Sequence, residues 1–100
     1  MALVQIGGEQ ISVGTAAIGP TTAEVTSEVH MAEFEHLSGG AIFMQTQEDP
    51  TAGGTNGDFP AEPGRRWRIW GHDEVLSFRM IRQGGVSGVV AAQYFGTGKT

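Results

Sequence analysis

No cysteine occurs among the 100 residues. A disulfide framework and thiolate metal sites are therefore excluded, and the fold must be held by packing or by neighbouring chains. Basic residues are missing from positions 1 to 62, which carry Glu9, Glu24, Glu28, Glu33, Glu35, Glu48, Asp49, Asp58 and Glu62 and neither Lys nor Arg. Every base follows later: Arg65, Arg66, Arg68, Arg79, Arg82 and Lys99, against Asp73 and Glu74 alone. A formal charge of −5 argues against a nucleic-acid partner, because phosphate contacts need a basic face. Long apolar runs are absent as well. Nothing approaches the roughly 18 apolar residues that span a bilayer, and the opening Met1 to Ile6 lacks the basic start of a signal peptide. The chain reads as soluble and unprocessed, with no membrane partner.

What is present in quantity is glycine, 16 residues, with doublets at 7–8, 39–40, 53–54 and 84–85. Between them lie runs of β-type residues. Leu3-Val4-Gln5-Ile6, Gly7-Gly8 and Glu9-Gln10-Ile11-Ser12-Val13 predict a tight hairpin, since glycine supplies the positive φ of primed turns. Ser38-Gly39-Gly40 predicts a second hairpin, joining Ala32 to Leu37 with Ala41 to Met44. Alternation in the first of these strands puts Ala32 and Phe34 on one face and Glu33 and Glu35 on the other. Further strands are expected at Arg65 to Trp70, Val75 to Ile81 and Val89 to Phe95. Seven or eight strands in a chain of this length predict an all-β fold: one small antiparallel β-sandwich over residues 1–100, jelly-roll-like or immunoglobulin-like. Gln47 to Gly64 holds Asp49-Pro50, Asn56-Gly57, Pro60 and Pro63, so it is a long Gly/Pro-rich loop or an edge excursion. Loops of this length often bind something, and Asp49 and Asp58 are its candidate contacts.

Catalytic chemistry finds little support. Gly96-Thr97-Gly98-Lys99-Thr100 mimics the end of a phosphate-binding loop, but Gln93 stands where its first glycine belongs and no helix follows. Gly53-Gly54-Thr55-Asn56-Gly57-Asp58 departs from the spacing of calcium-binding nonapeptide turns, and no Glu completes a calcium loop around Asp49. His30 and His36 lie about 20 Å apart along a strand, too far to share a metal ion. His72 with Asp73 falls in an expected turn, where a histidine is normally solvated. No Ser or Cys is paired with a base. The chain is accordingly read as no enzyme, with no catalytic residue, cofactor or metal.

The most informative chemistry is Arg65-Arg66-Trp67-Arg68-Ile69-Trp70. Alternation places Arg65, Trp67 and Ile69 on one face and Arg66, Arg68 and Trp70 on the other. Arg and Trp are enriched at interface hot spots, so Arg66, Arg68 and Trp70 are candidate interface residues. The plainer reading is that the arginines pair across strands with the acids of the first half. Leu3, Val4 and Ile6 are further interface candidates, if the opening strand adds to a neighbour's sheet.

The order of segments also resembles a family. An opening strand pair, the strand Ala32 to Leu37 with its partner Ala41 to Thr46, Asp49-Pro50-Thr51, Phe59-Pro60-Ala61-Glu62-Pro63-Gly64, a strand, Gly71, and a closing pair Phe78-Arg79-Met80-Ile81 and Ala91-Ala92-Gln93-Tyr94-Phe95 resemble small β-sandwich structural proteins of tailed bacteriophages. The resemblance covers nearly the whole chain, although Asp-Pro-Thr lacks a preceding Gly and the Arg-Trp-Arg strand is unusual. It implies a virion component assembled in the host cytoplasm. The expected role is a capsid decoration or cement protein on the major capsid protein lattice, forming a homo-oligomer with a trimer favoured. The alternatives are a tail, neck or baseplate accessory, and a carbohydrate-binding module that uses Trp67 or Trp70 as a sugar platform.

Overall fold

The computed structural model describes residues 3–46 and 59–97. Their strands are β1 (Val4–Val13), β2 (Val29–Gly39), β3 (Ile42–Gln45), β4 (Phe59–Ala61), β5 (Arg66–Trp70), β6 (Arg79–Arg82) and β7 (Gly88–Gly96), with one short helix, α1 (His72–Ser77), before β6. They form two antiparallel sheets, one ordered β1-β7-β2-β5 and the other β4-β3-β6. The expected all-β architecture is thus present.

The core forms where the inward rows of both sheets meet. Ile11 and Val13 of β1, Ala32 and Phe34 of β2, and Val90, Ala92 and Tyr94 of β7 face Ile42 and Met44 of β3 and Met80 of β6. Each inward row has the period of two that a half-buried strand requires. Phe34 is sandwiched in this core, its ring 5.6 Å from that of Trp67 and 4.7 Å from that of Phe78.

Three strand expectations are overturned. Gly7 and Gly8 do not turn the chain: β1 runs straight through them and pairs with β7, with a register shift between Gln5 and Gly7. Neither glycine has a positive φ. What they provide is close approach, since a Cβ on Gly8 would stand 3.1 Å from the Ala92 carbonyl oxygen. Ser38-Gly39-Gly40 makes no hairpin either, because β2 and β3 belong to different sheets. Gly39, at φ 90°, redirects the chain from one sheet to the other. The third is Val75 to Ile81, whose first half is helical. Gly71, at φ 99°, opens α1, Asp73 and Glu74 occupy its first turn, and Val75 is buried beneath it. Acidic side chains at a helix start favour that ending of the pattern over a strand. The expected closing pair therefore never meets, β6 lying in the three-stranded sheet and β7 in the four-stranded one. Phe59 to Ala61 bears out the edge excursion, with Pro60 in the outermost strand of its sheet.

A carboxylate ties the long connection between β1 and β2 to the sheet. Glu9 accepts hydrogen bonds from the buried Tyr94 hydroxyl (2.5 Å), from the Thr21 hydroxyl (2.6 Å) and from the Thr21 backbone N–H (2.9 Å). Burial, with the Glu9 carboxylate beside it, raises Tyr94 well above the ordinary phenol value. The native state therefore holds this proton more tightly than the unfolded chain does. Stability is full below the unfolded pKa of about 10 and falls as pH rises above it, by about 1.4 kcal/mol per pH unit. Tyr94 is the sole tyrosine and Lys99 the sole lysine, so the alkaline titration is simple to assign. Urea melts of the native chain at rising pH should show this slope, and Tyr94→Phe should lose it. An equal alkaline slope in the variant would assign the effect elsewhere.

Candidate functional site

The outer face of the four-stranded sheet gathers the Arg-Trp strand and its neighbours into transverse rows. β5 pairs with β2 so that Trp70 lies opposite Met31, Arg68 opposite Glu33 and Arg66 opposite Glu35. On its other side β2 sets Met31 against Phe95, Glu33 against Gln93 and Glu35 against Ala91. A register shift between Val29 and Met31 makes this alignment possible. It turns Val29 into the core and leaves Met31, Glu33 and Glu35 together on the outer face.

Two kinds of row result. Arg68 Nε stands 2.9 Å from Glu33 Oε2, and Arg66 Nε stands 3.4 Å from Glu35 Oε1. These are the cross-strand ion pairs that the uneven charge distribution allows, and both arginines remain well exposed. The neighbouring row is apolar. Met31 is buried and lies between Trp70 and Phe95 in the row, while Trp70 itself is 61% exposed at the sheet edge. An indole lying open beside two arginines offers area, hydrogen-bond donors and a cation-compatible ring within one face.

Trp67 is placed differently. It points inward, half-buried, stacked on Phe34 and 6.2 Å from the Phe78 ring. The two tryptophans lie on opposite faces of β5 and form no common sugar platform. Beside Trp67, the open margin between the sheets holds a cleft of about 210 Å³ lined by Met44, Phe59, Ile69 and Phe78. Trp67 Nε1 is buried with no hydrogen-bond partner, as are both ring nitrogens of His36 in the sandwich interior.

The opening residues divide. Ile6 packs against the core and Leu3 is half-buried, whereas Val4 is 48% exposed. β1 pairs with its own chain's β7, as an ordinary edge strand does. Asp49, Asp58 and the glycine-rich segment between them lie outside the described residues, as does Lys99. His72 is held, its Nδ1 3.1 Å from the Val29 carbonyl oxygen at the start of α1, where a solvated turn histidine was expected. Among the described residues no group of three or more His, Asp or Glu side chains is arranged to hold a metal ion, and no helix is long and apolar enough to cross a membrane.

Sequence reasoning missed Met31 and Phe95, which complete the apolar row. The parity of Ala32 and Phe34 signals that Met31 lies on the outer face, but only the pairing with β7 shows that Phe95 joins it. Comparison with protein-family models, with curated proteins and with solved structures finds no match to this chain.

Proposed function

We propose that the protein is a non-enzymatic virion assembly protein, a capsid decoration protein that docks on the major capsid protein lattice through the outer face of its four-stranded sheet. The observation that carries this reading is Trp70, open to solvent at the sheet edge and ending a strand face that also carries Arg68 and Arg66. An exposed indole is costly to keep in water and valuable at an interface, where Trp and Arg supply most of the hot-spot energy. The resemblance to small β-sandwich phage proteins supplies the partner. The position at tail, neck or baseplate shares this surface chemistry and differs only in the partner met.

Trp70→Ala tests it. The side chain is mostly exposed, so the fold should persist. Loss of a hot-spot tryptophan costs about 2 kcal/mol or more, roughly a 30-fold weaker association. Co-sedimentation with capsids stripped of decoration should fall accordingly. Wild-type occupancy by the variant would remove this face from the reading. Sedimentation of the native chain with tails and not heads would place it among the accessory proteins, and retention on an insoluble polysaccharide alone would make it a carbohydrate-binding module.

A further inference from the structure

The two sheets have four edges, and the sequence treats them unequally. β4 is three residues long and contains Pro60, which has no N–H to offer a neighbour. The far side of β6 is occupied by the chain itself: Ile18 and Met80 exchange backbone hydrogen bonds at 2.9 and 2.7 Å, and Arg82 N–H donates to the Gly14 carbonyl at 3.0 Å. β5 carries Arg66 and Arg68 on its outer face. Short length, proline, coverage and charge are the devices by which natural sheets prevent edge-to-edge pairing.

β1 has almost none of them. It is ten residues long, VQIGGEQISV, without Lys, Arg or Pro. Its one charged residue, Glu9, faces inward and is engaged by Tyr94 and Thr21. Among the described residues, its backbone away from β7 is hydrogen-bonded to no other strand. The Gln5 amide reaches the Gly7 carbonyl at 3.3 Å, and that contact is local and exposed.

We infer that β1 is a docking edge, and that its occupant is β1 of a second copy, joined antiparallel about a two-fold axis into one continuous eight-stranded sheet. Self-pairing fits here because the outer-face side chains of β1, namely Gln5, Gly8, Gln10 and Ser12, are uncharged and meet their own kind without repulsion. The same operation at β5 would bring Arg66 and Arg68 against Arg66 and Arg68 of the other copy. Main-chain hydrogen bonds along the edge supply the affinity, as in other strand additions. The copy number is two, in place of the three that the resemblance implies. The inference stands independently of what the outer face binds.

Sedimentation equilibrium of the full chain tests it. The native protein should show a concentration-dependent monomer–dimer equilibrium. Gln10→Lys with Ser12→Lys, both on exposed positions, sets charges along the edge and should weaken the dimer by about tenfold or more. Gln83→Lys with Val86→Lys adds the same charge on an exposed bend and should leave the dimer as it is. A native chain that stays monomeric at every concentration, or equal association by the two double variants, overturns the inference. Amide exchange on the native chain gives a reading that does not depend on the variants folding. Protection along Val4–Val13 should rise with protein concentration, and protection independent of concentration there overturns the inference too.

Discussion

Arg66→Glu combined with Arg68→Glu is expected to abolish docking while lowering stability by only about 1–3 kcal/mol. The side chains of these arginines are 69% and 59% exposed, and those of their partners Glu35 and Glu33 are 37% and 27% exposed. Solvent-exposed pairs of this kind contribute about 0.2–1 kcal/mol each, and like charges placed opposite one another cost a similar amount. Reversal therefore replaces two weak attractions with two weak repulsions inside the sheet. If the face docks as proposed, the same reversal costs several kcal/mol there, because it sets like charge against the acidic groups that an arginine pair would select on a partner. Adding Glu33→Arg and Glu35→Arg separates the two effects. The quadruple variant regains both cross-strand pairs with inverted polarity, so its melting temperature should return toward the native value. Docking should not return. Capsid co-sedimentation at native occupancy by the fourfold variant would show that these charges stabilise the sheet and take no part in recognition.

The largest loss of stability is expected from Gly39→Ala. A non-glycine residue at φ 90° is strained by about 1–3 kcal/mol. The new methyl carbon would also stand 2.1 Å from the Ser87 carbonyl oxygen and 2.9 Å from Gly88 Cα, backbone that belongs to the approach to β7. Overpacking against backbone adds roughly 1–3 kcal/mol, for a sum of about 2–6 kcal/mol. In a domain of this size that corresponds to a melting temperature lower by roughly 8 °C or more. Gly84→Ala and Gly85→Ala are the matched controls. Neither glycine has a positive φ, and a Cβ at either position meets nothing within 4 Å. Those variants should melt at or slightly above the native temperature, through reduced freedom of the unfolded chain. A Gly39→Ala protein that melts with the controls would mean that the sheet crossing is not tightly constrained.

That contrast also explains how much of the fold was legible. Two of the strands could be read from alternation: the even positions of Ala32 and Phe34 and the odd positions of Trp67 and Ile69 do face inward. Glycine doublets misled because sequence does not reveal φ. Gly7-Gly8 serves close packing against Ala92, Gly39 turns the chain between sheets, and Gly84 and Gly85 meet nothing. The helix His72–Ser77 was hidden because six residues hold too few periods to distinguish it from a strand. For the candidate site, the face of Arg66, Arg68 and Trp70 followed from local parity. Their partners did not, since pairing Glu33 with Arg68 across 35 positions depends on the register between two strands. The row of Phe95, Met31 and Trp70 depends on two such registers at once.

The position of β7 has a consequence for the way the molecule comes into being. The last strand in sequence lies between the first two, β1 on one side and β2 on the other. Until it is made, β1 has no partner in the sheet and β2 has only β5, so one edge of β2 stands open. A ribosome adding about 5–20 residues per second keeps them waiting for several seconds. During that interval β1 is partly apolar and unpaired and β2 keeps one open edge, the state in which chains find one another by mistake. Topologies closed by such distant pairings also fold slowly once complete. A cell making this protein in quantity therefore faces its greatest aggregation risk on nascent chains, and a cut before Gly88 should yield insoluble material and no partial sandwich.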